Sequence, residues 1–169
     1  MALQSMTALA SITLQAASAS VSFSGIPQNY RDLILIENPR HESSATGQST
    51  LIQFNGDSGA NYTMVYMAGN ISNSTGQSGT GGSATSLWTS RFNNNDGNNG
   101  IAYIIDYSAT NKHKTVISKG HLNLSAGLAV ISFANRWANT AAINSMTLFP
   151  ETGGNYAAGS TFDLYGRIS

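Results

Sequence analysis

Charge is what this chain has least of. Only 9% of its 169 residues are charged, eight basic against eight acidic, for a formal net charge of zero. An average soluble domain carries about 25%. With no net field to steer polyanions, nucleic acid and anionic membrane surfaces are not expected as partners. Copies that do not repel one another tend to associate, which harms a freely diffusing enzyme but not a component that docks. Cysteine is absent, which excludes a disulfide framework and thiolate catalysis and leaves the redox compartment open. No apolar run approaches the 18 residues of a membrane helix. Residues 1–14 have no basic leader followed by a long apolar run, so no secretory signal is expected.

What fills the space is neutral and polar. Roughly a third of the chain is Ser, Thr or Asn, yet 41% is hydrophobic. Disorder calls for low hydrophobicity and high net charge, so a packed domain with a hydroxyl- and amide-rich surface is expected. The length suits one domain able to bury a core without cross-links.

The hydrophobic residues recur with period two, or in short runs bounded by turn residues, which predicts strands. Ten are expected, over 7–14, 18–24, 32–37, 50–55, 61–68, 101–107, 113–121, 127–136, 142–149 and 160–168. The continuous run from Asp32 to Glu37 predicts a strand buried on both faces. Asn55-Gly56-Asp57 matches the tight hairpin signal, in which Asn and Gly supply positive φ. No amphipathic helix of ten residues stands out. The expected fold is all-β, an antiparallel β-sandwich and in finer detail a jelly roll. Residues 1–6 form an N-terminal arm and 7–169 one sandwich domain. Residues 69–100 form a long polar loop around the apolar island of Leu87, Trp88 and Phe92. Large aromatics in a polar loop are anchors, so these three, with Met1 and Leu3 of the arm, are the candidate partner contacts.

The search for chemistry yields little. Gly76 to Gly82 lacks the Lys of a phosphate loop and precedes no helix. His113 and His121 could share a strand face, but Lys112, Lys114 and Lys119 beside them oppose a dication. Asn94, Asp96 and Gly97 resemble part of a calcium loop without its terminal bidentate Glu. No carboxylate pair suggests glycoside hydrolysis. The Tyr and Trp residues at strand spacing read as core or half-buried sheet positions before they read as a sugar platform. No catalytic residue, metal site or cofactor is expected.

Several segments, taken together, resemble small virion proteins of tailed bacteriophages, cyanophages among them. They are Ser22-Phe23-Ser24-Gly25-Ile26-Pro27-Gln28-Asn29-Tyr30-Arg31-Asp32-Leu33 and Ile52-Gln53-Phe54-Asn55-Gly56-Asp57-Ser58-Gly59-Ala60-Asn61-Tyr62, then Ile104-Ile105-Asp106-Tyr107-Ser108-Ala109-Thr110-Asn111-Lys112. Ala141-Ala142-Ile143-Asn144-Ser145-Met146-Thr147-Leu148-Phe149-Pro150 and Ala158-Gly159-Ser160-Thr161-Phe162-Asp163-Leu164-Tyr165-Gly166 complete the set. The resemblance implies a non-enzymatic β-domain of the virion surface and carries over no catalytic residue. A capsid decoration (cement) protein is the expected role, with the major capsid protein and further copies of itself as partners, as a homotrimer at a threefold lattice site. A tail or tail-fibre component is the alternative, disfavoured because strand patterning begins by Thr7 and leaves no room for a shaft. A host-glycan-binding adhesin domain is a further alternative.

Overall fold

The computed structural model describes residues 6–43, 47–70, 73–94, 98–124 and 127–168, with side chains described except over 70–84 and 122–129. Among these residues there are twelve strands and no helix. They are β1 (Met6–Thr13), β2 (Val21–Ser24), β3 (Asp32–Asn38), β4 (Gln48–Phe54), β5 (Tyr62–Asn70), β6 (Asn73–Ala84), β7 (Leu87–Phe92), β8 (Asn99–Ile105), β9 (Lys114–Leu124), β10 (Gly127–Trp137), β11 (Ser145–Pro150) and β12 (Thr161–Arg167). Eight form one sheet in the order β1-β12-β3-β8-β9-β10-β5-β6, and four form a second in the order β2-β11-β4-β7. All the ladders are antiparallel. The chain is an antiparallel β-sandwich, as the alternation predicts. Its sheets are unequal, and this order does not by itself establish the finer jelly-roll connectivity.

Alternation decides which side chains meet between the sheets. The small sheet contributes Val21, Phe23, Ile52, Phe54, Met146 and Leu148 to one core. The large sheet meets them with residues such as Leu33, Leu35, Ile104, Val116, Trp137 and Leu164. Each large apolar side chain so buried stabilises the fold by about 1.5–3 kcal/mol. Aromatic rings concentrate there, with Tyr62 stacked on Trp137 at 6.3 Å and Tyr156 edge-on to Phe162 at 5.0 Å. In β3 the prediction of burial on both faces holds: Leu33, Leu35 and the oppositely directed Ile34 are all buried.

Two expectations are corrected. The stretch 69–100 is not one long loop, because β6 and β7 lie within it. β6 returns along β5 from Asn70↔Asn73 to Tyr62↔Ala84, at the edge of the large sheet. β6 pairs with the backbone of β5, and its Ser, Thr, Gly and Gln sequence shows no hydrophobic period. The second concerns Asn55 and Gly56. Both have positive φ, at 53° and 69°, and Asp57 N–H donates to Phe54 O at 2.9 Å, so the turn forms. It is not a hairpin, however, since β4 and β5 belong to different sheets. The local dihedral signal gives the bend, whereas distant partners give its direction. The Asn55 amide donates to Ala142 O at 2.8 Å and its Oδ1 accepts from Asn144 N–H at 2.9 Å. Asp57 accepts from Trp137 Nε1 at 2.8 Å.

Candidate interaction surface

Between the sheets, one end of the core is polar. Glu37 of β3 is fully buried among Thr50 of β4, Thr89 and Ser90 of β7, and Tyr156. A register shift opposite Thr50 and Leu51 leaves Thr89 without a partner residue in β4, and this bulge buries two consecutive hydroxyl residues. Ser90 Oγ donates to Thr50 Oγ1 at 3.2 Å. The close approach of β7 requires glycine across from it: a Cβ on Gly100 would lie 2.5 Å from Ser90 Cβ and 3.1 Å from Glu37 Oε1. Among the described residues, neither the carboxyl oxygens of Glu37 nor the Tyr156 hydroxyl meets hydrogen-bond geometry with a partner. Burial pushes the Glu37 pKa up to about 7, and the nearby hydroxyls of Thr89, Ser90 and Thr50 only temper the rise. The Tyr156 phenol is raised as well, first by burial and then by the Glu37 charge. This seam can retain a proton at neutral pH. It has no second carboxylate, and among the described residues no group of three His, Cys, Asp or Glu side chains could hold a metal ion.

The side chains singled out in the sequence are dispersed. Leu87 and Phe92 are fully buried in this chain's own core, so they have no surface left to offer a neighbour. Trp88 is half-buried against Tyr66 at 5.7 Å and Phe133 at 5.9 Å. The expected contact loop is thus β7, the edge strand of the small sheet, with Leu87 and Phe92 in the core and Trp88 half-buried. Met1 and Leu3, with most of the arm, lie outside the described residues, as do Asp96 and Gly97. His113 precedes β9, whereas His121 lies within it, paired with Asn99 and Val130. His41 is buried, 6.1 Å from Phe92.

The sequence did not single out the outer face of the large sheet, which no second layer covers among the described residues. Its apolar residues include Val65 (45% exposed), Met67 (66%) and Val130 (64%), with Tyr103 and Ile105 also exposed. One cross-strand row runs Ala8, Tyr165, Ile34, Tyr103, Ile117, Ala134 and Val65. Three shallow depressions lie on this side. One of about 410 Å³ is lined by Ile36, Ile101, Lys119, His121 and Val130. One of about 310 Å³ is lined by Tyr103, Ile105, Ile117 and Arg167. The third, of about 400 Å³, lies between Val65, Met67, Ile117 and Lys119. Charges gather at one margin: Asp32 pairs with Arg167 at 3.3 Å, and Asp106 with Lys112 at 3.0 Å and Arg31 at 3.8 Å. The Lys112 hydrogen bond is the main cause that holds the Asp106 carboxyl below the usual range. An exposed apolar surface rimmed by polar groups is the kind that marks a protein or membrane contact or a ligand groove.

A signal for this face was present in the sequence. The run Ile101-Ala102-Tyr103-Ile104-Ile105 is apolar at both parities, which on an outer strand face means apolar surface. No protein-family model, curated protein or solved structure matches the chain.

Proposed function

We propose that this chain is a non-enzymatic structural protein of a phage particle, a capsid decoration protein that stabilises the shell by bridging its subunits. The observation that carries this reading is the uncovered apolar face of the eight-stranded sheet. A sheet face with several half-exposed aliphatic and aromatic side chains is suited to a fixed protein neighbour, and the low charge of the chain removes the usual barrier to close approach. The virion setting rests on the phage-like segments in the sequence. A protein that binds the assembled shell but not its separated subunits stabilises the shell by mass action.

The test is to add purified protein to expanded shells that lack it and to separated capsid subunits. Co-sedimentation with shells, no complex with subunits, and a higher temperature of shell disruption are the expected results. Equal binding to both, or binding with no change in shell stability, would reject the bridging role.

A further inference from the structure

We propose that the neighbour covering the outer face of the large sheet is a second copy of this chain, related by a two-fold axis that runs along the strands between β3 and β8. The inference rests on the reading of this face as an assembly surface and names its partner.

The grounds are two adjacent cross-strand rows. The first runs Ser11, Asp163, Ile36, Ile101, Lys119, Ser132 across β1, β12, β3, β8, β9 and β10. The second runs Ala8, Tyr165, Ile34, Tyr103, Ile117, Ala134 across the same six strands. A two-fold axis along the strands, midway between β3 and β8, lays each row on its own reverse. In the first row Asp163 then faces Lys119 of the other copy, Ile36 faces Ile101, and Ser11 faces Ser132. In the second, Tyr165 faces Ile117, Ala8 faces Ala134, and Tyr103 lies over Ile34, which its own chain already buries. One axis thus satisfies both rows, with opposite charges opposed, apolar on apolar, and small on small.

Asp163 and Lys119 belong to no ion pair among the described residues. Within one chain they stand three strand spacings apart, about 14 Å, too far to meet. Across the axis each finds an opposite charge, and symmetry makes two such pairs. In the next row Asp32 is paired with Arg167 of its own chain, and the same axis sets Arg167 opposite Thr115 and Arg136 opposite Met6, so that row adds no matched charge pair. Sheets stacked face to face keep their strands aligned within about 30°, which an axis along the strands provides. Twist separates the sheets toward their margins, so the contact centres on β12, β3, β8 and β9.

A patch six strands wide and three rows long covers about 500 Å² per copy from strand spacings. That is below the usual 800 Å² per partner, so the pair forms reversibly and its population depends on concentration. On a shell, two copies seated on different capsid subunits and joined this way would form a bridge between them. The order of association is two, in place of the three expected from the sequence.

The test is analytical ultracentrifugation of the full chain and three charge variants over a range of micromolar concentrations, with unfolding midpoints measured to establish that each variant folds. The original protein is expected to show a monomer–dimer equilibrium. Lys119→Asp and Asp163→Lys should each weaken it by about tenfold or more, since each sets two like-charge contacts against one another. The double variant, with the charges exchanged, should recover to within about threefold of the original. A monomer at all concentrations, a trimer, single variants that dimerise normally, or no recovery in the double variant would each overturn the proposal. Shell binding is measured separately: a monomer that still stabilises shells would defeat the pairing and leave the decoration role standing.

Discussion

A carboxyl group buried beside hydroxyls and a phenol holds its proton more tightly in the folded chain than in water. For Glu37 the folded pKa is about 7 against an ordinary value of 4.5. The unfolded chain therefore releases this proton at lower pH than the folded chain does. The stabilising contribution is complete below about pH 4.5, declines as pH rises through 7, and is flat beyond. A shift of this size corresponds to about 3 kcal/mol. Asp57 and Asp106 act in the opposite sense. Hydrogen bonds from Trp137, Gly59 and Asn61 outweigh the burial of Asp57, and Lys112 holds Asp106 low. Their contributions are present above the ordinary carboxylate range and lost as pH falls below it, so the two windows separate. Urea unfolding between pH 4.5 and 8 should show the original chain losing stability, and Glu37→Gln losing less by about 3 kcal/mol. Identical pH profiles would mean that Glu37 is not the titrating group.

At the scale of elements, the spacing of the sheets depends on Gly100. Gly100→Ala drives a methyl group into Ser90 and Glu37, and should destabilise by about 1–3 kcal/mol. Ser90→Gly in the same chain should restore part of that loss, and a double variant no more stable than Gly100→Ala would show that the clash lies elsewhere. Trp137→Phe removes the bond to Asp57 that fixes the β4–β5 bend; it should cost about 1–3 kcal/mol, and an unchanged unfolding midpoint would assign the bend to the Asn55 contacts alone.

These elements also mark what the sequence could convey. Strands such as β2 and β12 were legible because Val21 and Phe23, and Phe162 and Leu164, alternate with polar residues. β6 was not, because a strand of Ser, Thr and Gly held by its neighbour's backbone has no period to read. Phe92 looked like a loop anchor because the pairing of β7 with β4 spans more than forty residues of chain. Glu37 closes an apolar run like an ordinary polar strand end, and only the other sheet reveals that it is buried. The outer face was half legible, in runs apolar at both parities, yet its rows arise from strands scattered from β1 to β12.

For the whole molecule, the fold puts its hydrophobic surplus in two places, the core between the sheets and the outer face of the larger one. The first holds the domain together and the second is available to a neighbour. Tyr103→Lys should accordingly leave the unfolding midpoint within about 0.5 kcal/mol of the original while lowering occupancy on particles several-fold, and unchanged occupancy would remove this face from the contact. The most direct test of the proposed virion role is gold labelling of particles purified from the protein's source with an antibody to this protein, viewed by electron microscopy. Label distributed over the head is the expected result. Particles with no label, or with label confined to the tail, would contradict it.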